Sequence, residues 1–219
     1  MIKAGHKYWA RLIFDPYINS QLKKNFSNFY LANEFPKIDE EKSLIITPNH
    51  ISWWDGFFID YVNKKLLKRK LFIMMLEHQL KRYWFFKKLG AYSIDPANSV
   101  SIKETIKYTA SVASDSNNVL IIYPQGEIES FNPKPENLKR GLKLFVNSIE
   151  NELKVLPVGF KTQFSEDKKP EVICRFGEPL EARDIKQDYS VYEKEFLSNL
   201  KLLNENSFSR NFVKDLFDE

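Results

Sequence analysis

The 219-residue sequence predicts an α/β fold: a mostly parallel central sheet flanked by helices, with an amino-terminal helical element. Three observations predict it. Short apolar runs at Leu44–Thr47, Leu71–Met75, Ala91–Ile94, Val119–Tyr123, Val155–Phe160 and Val172–Phe176 alternate with longer helix-like stretches. Two of those runs end abruptly, in Asn49-His50 and in Pro124-Gln125-Gly126, as loops at the carboxyl ends of parallel strands do. The segment Ser99–Ala113 has helical period, with Ile102, Ile106 and Ala110 on one side.

Taken in order, residues 1–40 read as a separate amino-terminal helical element. Its Tyr8-Trp9-Ala10-Arg11-Leu12-Ile13-Phe14 is apolar and accompanied by Lys3, Lys7 and Arg11, which suits a membrane-interface anchor or a helix packed on the domain. Residues 41–219 read as a single domain, since 43% hydrophobic content is enough to bury one core. The strand Leu44–Thr47 leads to a helix over Trp53–Lys68, started by Ser52-x-x-Asp55 as a capping box with Ser52 as N-cap. A helix over Glu77–Leu89 separates the next two strands. After Val119–Tyr123 comes a loop through Asn132-Pro133-Lys134-Pro135, then a helix over Glu136–Ile149. The last two strands flank a solvated excursion at Ser165–Pro170, and a charged amphipathic helix over Val191–Asn206 follows.

The chemistry concentrates at His50 and Asp55, five positions apart where the buried first strand gives way to a helix. Imidazole, with an unperturbed pKa of about 6.5, is the side chain best suited to taking a proton from a hydroxyl near neutrality. A carboxylate on its other nitrogen holds the useful tautomer and stabilises the imidazolium that forms. On a continuous helix the two would diverge by about 140°. They converge if His50 lies in the loop and Asp55 in the first turn. The same spacing also suits a plain helix cap. What favours catalysis is the second special turn, Tyr123-Pro124-Gln125-Gly126-Glu127, at the end of another strand.

These residues resemble the glycerolipid acyltransferase family, similar to lysophosphatidic acid (1-acylglycerol-3-phosphate) acyltransferase. Asn49, His50 and Asp55 match Asn-His-x-x-x-x-Asp; Tyr123 to Glu129 stand at Phe-Pro-Glu-Gly-Thr-Arg-Ser; Gly90 to Asp95 match part of Gly-x-x-x-Ile-Asp-Arg. Val155-Leu156-Pro157-Val158-Gly159, Lys139-Arg140-Gly141 and Phe176-Gly177-Glu178-Pro179-Leu180 follow in the family's order, so the resemblance runs from about Leu44 to Leu180. It implies transfer of a fatty acyl group from acyl-CoA or acyl carrier protein to a hydroxyl of a lipid-like acceptor. His50 is the expected base, oriented by Asp55, with Tyr123, Pro124, Gln125, Gly126 and Glu127 as acceptor-binding residues. The turn at Pro124 and Gly126 is expected to aim Gln125 into the cleft. Ser52, Trp53 and Trp54 are expected to shape an acyl tunnel, with at least one tryptophan in the core. A direct ternary transfer is expected, because a thioester is already activated.

The departures point to a rebuilt acceptor site. Pro96 and Ile128 stand where the resemblance implies phosphate-holding arginines, and Gln125 replaces a glutamate. Neither Pro nor Ile offers the planar fork of a guanidinium, and Glu127 and Glu129 add negative charge. This favours a neutral or zwitterionic acceptor, unless Arg82, Arg140 or Lys161 holds the phosphate instead. The alternative function is a catalytically weak family member that binds lipid at a membrane surface.

The net charge of +4 is unevenly placed. Lys64–Lys70 carries five positive charges, and Lys81–Lys88 alternates charge with Tyr83, Trp84, Phe85 and Phe86. Lys81, Arg82, Trp84, Lys87 and Lys88 thus read as a surface for anionic membrane or for an acidic or phosphorylated acyl donor. No nucleic-acid motif, metal-ligand spacing or bound cofactor is expected. Cys174, alone, reads as a core residue. The longest charge-free run, Ser43–Trp54, is twelve residues, short of the ~18–20 that span a membrane. A cytoplasmic protein, peripheral on the inner face of the membrane, is the expectation.

Overall fold

The computed structural model describes residues 1–135 and 138–218. Its strands are β1 (Phe29–Leu31), β2 (Ser43–Pro48), β3 (Lys70–Leu76), β4 (Ala91–Ile94), β5 (Asn118–Ile121), β6 (Leu153–Gln163), β7 (Glu171–Phe176), β8 (Leu180–Glu181) and β9 (Lys214–Asp215). They form one sheet in the order β4-β3-β5-β2-β6-β7-β1-β9, with β8 beside β6. The run from β4 to β6 is parallel, and β7, β8 and β9 each make an antiparallel pairing.

The helices are α1 (Tyr8–Asn25), α2 (Asp55–Val62), α3 (Glu77–Arg82), α4 (Ser99–Ala113), α5 (Gly141–Ser148), α6 (Ala182–Gln187) and α7 (Ser190–Ser209). They cover both faces. Leu44 and Ile46 of β2 pack into a core layer with Ile18 and Leu22 of α1 and Phe58 and Val62 of α2. Ile45 points the other way, toward Val112 of α4, Phe145 of α5 and Phe196 of α7. A strand buried on both sides has no polar face to show, which is why β2 reads as an unbroken apolar run. Each such side chain contributes roughly 1.5–3 kcal/mol.

Several expectations are corrected. The boundary after residue 40 cuts through the sheet: β1 pairs in parallel with β7, Leu31 opposite Cys174. The helix expected over Glu77–Leu89 ends at Arg82, and Trp84–Leu89 winds as a 3₁₀ turn after Tyr83 leaves helical geometry. Four consecutive aromatics cannot share one helical face. The tighter winding turns Phe85 and Phe86 toward Phe14 and leaves Trp84 60% exposed. The helix expected over Trp53–Lys68 is α-helical only as α2 and then widens into a π turn, Asn63–Leu67. The Asn63 amide closes it, donating to the Arg69 carbonyl and accepting from the Arg69 N–H.

On α4 the fully buried positions are Ser101, Thr105, Thr109, Val112 and Ala113, while Ile102, Ile106 and Ala110 are half-buried. Polar side chains can take the inner face because partners await them there. Thr105 donates to the Ser93 carbonyl at 3.0 Å, and Thr109 pairs with the Tyr92 hydroxyl at 3.2 Å. Helix α5 begins at Gly141, and the expected start at Glu136 lies outside the described residues. The strand expected through Tyr123 ends at Ile121. Gly90, at φ 117°, returns the chain into β4; a Cβ there would lie 2.2 Å from the Leu71 carbonyl oxygen.

Candidate active site

Strands β2 and β5 are neighbours in parallel, Ile46 opposite Ile121, so the loops leaving their carboxyl ends meet. Asn49 pins the first loop to β6. Its side-chain amide donates to the Phe160 carbonyl at 2.9 Å and accepts from the Phe160 N–H at 2.7 Å. His50 follows, clear of the sheet, and Asp55 opens α2 with 0% exposure.

The Asp55 carboxylate gathers four donors. Oδ2 accepts from Ile51 N–H at 2.6 Å and Ser52 N–H at 2.8 Å, and Oδ1 accepts from the Ser52 hydroxyl at 2.7 Å. The fourth is His50, whose Nδ1 lies 2.8 Å from Oδ2. An ionised carboxylate only accepts, so Nδ1 donates in this bond, and in the neutral imidazole the free lone pair is then the one on Nε2. Charge-assisted hydrogen bonds of about 1.5–3 kcal/mol each offset the cost of burying the Asp55 charge. Ser52 is not the N-cap expected of it: the N-cap is Trp54, without a side-chain cap, and Ser52 braces the turn before the helix, its N–H donating to Asp55 and its hydroxyl accepting from Trp54 N–H at 3.1 Å.

The second loop grips His50 from the other side. Gln125, buried, accepts from His50 N–H at 2.7 Å and donates to Glu129 Oε2 at 2.8 Å. Glu129 N–H in turn donates to the His50 carbonyl at 2.9 Å. Both backbone groups of His50 are thereby held by one turn, which Gly126 makes possible at φ 75°. The Tyr123 ring stacks on the imidazole with centroids 4.3 Å apart. Among the described residues its hydroxyl is buried without a hydrogen-bond partner, and burial together with the Asp55 charge pushes its pKa well above the ordinary phenol value.

His50 stands at one end of a cavity of about 390 Å³ between α2 and β3. Its lining runs from His50, Trp53, Glu127 and Ile128, past Gly56, Phe57, Ile73 and Met75, to Leu71, Leu89 and the Arg11–Asp60 pair. From Leu76 back to Leu71 the wall follows β3 for roughly 17 Å. The size falls within the roughly 300–1,000 Å³ usual for ligand cavities, and the shape and apolar wall suit an extended hydrocarbon chain.

The structure brings His50, Asp55, Tyr123, Gly126 and Glu127 together as expected. Gln125 is not aimed into the cleft, because both ends of its amide are engaged with His50 and Glu129. Pro124 is buried in the turn and does not line the cavity. Trp53 lines the cavity, Trp54 packs edge-on against Phe26 in the core, and Ser52 braces Asp55. None of Lys81, Arg82, Trp84, Lys87 and Lys88 lines the cavity, whereas Gln79, Phe86 and Leu89 of the same stretch do. Lys81 pairs with Glu77 at 2.8 Å, and Lys88 lies over the rings of Trp9 and Trp84 at 4.5 Å. The walls from Phe14, Gly56 and β3 were not foreseen. A signal existed in Gly56, a small residue among the aromatics of α2, which leaves room beneath the helix.

Fold and site define a class: α/β proteins that set an imidazole–carboxylate pair at the carboxyl ends of parallel strands, above an apolar cavity. Within it, the family model described as Acyltransferase matches residues 25–161, more than half of the chain, and the chain belongs to that family. It is 26% identical over 168 residues to a 1-acyl-sn-glycerol-3-phosphate acyltransferase of Streptococcus pneumoniae (strain ATCC BAA-255 / R6). That match covers 74% of this chain and 58% of the relative, so the chain spans little more than half of the relative's length. The fold is similar to the crystal structure of the 1-acyl-sn-glycerophosphate (LPA) acyltransferase PlsC from Thermotoga maritima. The TM-score is 0.60 and the identity 16%, over 88% of this chain and 79% of that one. Among the described residues no helix is long and apolar enough to cross a membrane.

Proposed function

We propose that the protein transfers a fatty acyl group from an acyl thioester, acyl-CoA or acyl carrier protein, to a hydroxyl of a lipid-like acceptor. The observation that carries this reading is the His50–Asp55 pair, 2.8 Å apart, at the head of a cavity fit for an acyl chain. The 1-acyl-sn-glycerol-3-phosphate acyltransferase activity named for the Streptococcus pneumoniae relative supports the reaction type.

With Nδ1–H on Asp55, Nε2 takes the proton from the acceptor hydroxyl as its oxygen attacks the thioester carbonyl. Asp55 stabilises the imidazolium. Collapse of the tetrahedral intermediate breaks the carbon–sulfur bond, and His50 returns the proton to the departing thiolate. The new ester and the free thiol leave together, with no acylated side chain between. Cys174 offers no competing nucleophile: it is buried in the sheet, and burial pushes its thiol well above the ordinary value.

His50→Ala is expected to lower turnover by roughly 10²–10⁴ while the circular dichroism spectrum stays that of the native protein, and Asp55→Asn to be severe as well. Near-normal acyl transfer by His50→Ala would show that another group is the base.

A further inference from the structure

We infer that the acceptor's head group carries no net charge; the inference rests on the acyl-transfer reading above. The acceptor hydroxyl must reach Nε2 of His50 at the outer end of the cavity, where Tyr123, Gly126, Glu127 and Ile128 form the rim. Ile128 is 51% exposed there, an apolar side chain offered to whatever enters. Lys139 reaches the same rim: a Cβ on Gly126 would lie 3.2 Å from its ammonium. That ammonium lies 3.4 Å from Glu127 Oε1, so it comes to the rim with a carboxylate beside it. Behind them Glu129 adds a carboxylate tied to Gln125.

Other cations are engaged elsewhere. Arg11 lines the cavity, but at its far end, donating to Asp60 at 2.7 Å and to the Leu89 carbonyl at 2.6 Å. Arg82 lies over the Tyr83 ring, and Arg140 points to solvent near Glu193. Lys161 is held by Asn204 and Ser207 between the rings of Phe131 and Phe208. None of these three lines the cavity.

A phosphate monoester brings about 1.5–2 negative charges at neutral pH. Among the described residues of this rim it would meet one ammonium, an isoleucine, and the two carboxylates of Glu127 and Glu129, a net negative surface. An uncharged head group meets no such repulsion. A zwitterionic one carries its own compensating charge and adds no net repulsion. The rim therefore selects against a phosphate monoester by like charge as well as by lack of a fork.

The test incubates the native protein with radiolabelled acyl-CoA, and in parallel acyl carrier protein, and a total lipid extract of the cells that make it. The extract is first split by anion exchange into fractions with and without net charge. Label is expected in the lipids without net charge. Lysophosphatidic acid, assayed alone, is expected to be turned over about ten- to hundredfold less efficiently than the preferred lipid, the worth of one charge-assisted pair. Ile128→Arg should narrow that gap by lowering the KM for lysophosphatidic acid relative to that for the preferred lipid. Label entering the anionic fraction, or lysophosphatidic acid turned over as efficiently as any other lipid, overturns the inference and leaves acyl transfer standing. Label in neither fraction overturns both.

Discussion

Tyr123 combines two roles that pull apart. Its ring holds the imidazole in place by stacking, while its hydroxyl is buried beside a negative charge. Deleting that hydroxyl removes a buried polar group with no partner among the described residues. Tyr123→Phe is thus expected to keep the stacking and leave stability equal or higher by about 1 kcal/mol, read by thermal melting. A large fall in melting temperature would show that the hydroxyl is bonded after all. The pairing of His50 with Asp55 was legible because a loop followed by a helix start leaves few directions for those side chains. The orientation of Gln125 was not. A turn sequence fixes where the backbone bends, while the side chain follows the donor it meets, here the His50 N–H.

Helix α4 shows why some element faces escape a reading of periodicity. Thr105 and Thr109 look like surface residues, yet each finds a hydroxyl or carbonyl across the layer, and only the folded neighbours supply those partners. The boundaries of α3 and α2 were blurred for a related reason: 3₁₀ and π turns keep the composition of a helix while changing its winding. The end of α7 carries a further contact between distant segments. Arg210, just beyond the helix, donates to both carboxylate oxygens of Glu171 on β7, at 2.8 and 3.2 Å. Burial works to raise the Glu171 pKa, but Arg210 and the hydrogen bonds from Gln163 and Ser165 outweigh it and hold it below the ordinary value. A carboxylate lowered in the folded state stabilises it above the unfolded pKa, and that stability is lost as pH falls through the folded value. Unfolding titrations between pH 7 and pH 3 should show the loss beginning near the ordinary glutamate value, with Glu171→Gln flattening that part of the curve. Identical pH slopes for the two proteins would remove Glu171 from the account.

The α/β order of the whole chain was legible, because strands buried on both faces announce themselves as apolar runs. The place of the amino terminus was not, since a three-residue strand such as β1 has too little pattern to be seen. Its helix leaves Tyr8, Trp9, Leu12, Ile13 and Tyr17 exposed. These positions recur along one face of α1. Lys88, between the rings of Trp9 and Trp84, joins that face to the 3₁₀ turn. An aromatic and basic surface of this kind suits the headgroup layer of a bilayer. In flotation assays the protein is expected to rise with anionic vesicles, more weakly as salt increases. Ile13→Glu, at an exposed site, is expected to weaken that binding. Equal and negligible binding to anionic and neutral vesicles would show that this face does not serve a membrane.

The far wall of the cavity has a consequence for how labour is divided along the chain. Phe14 and Arg11, which close that wall, lie before residue 25, where the family match begins, while His50 and Asp55 lie within it. Shortening Phe14 alone would leave the dyad in place and open that wall. A hydrocarbon guest would then be open to water from beneath, and the burial that favours its binding would be lost. The first two dozen residues thus belong with the cavity's hold on its guest rather than with the dyad.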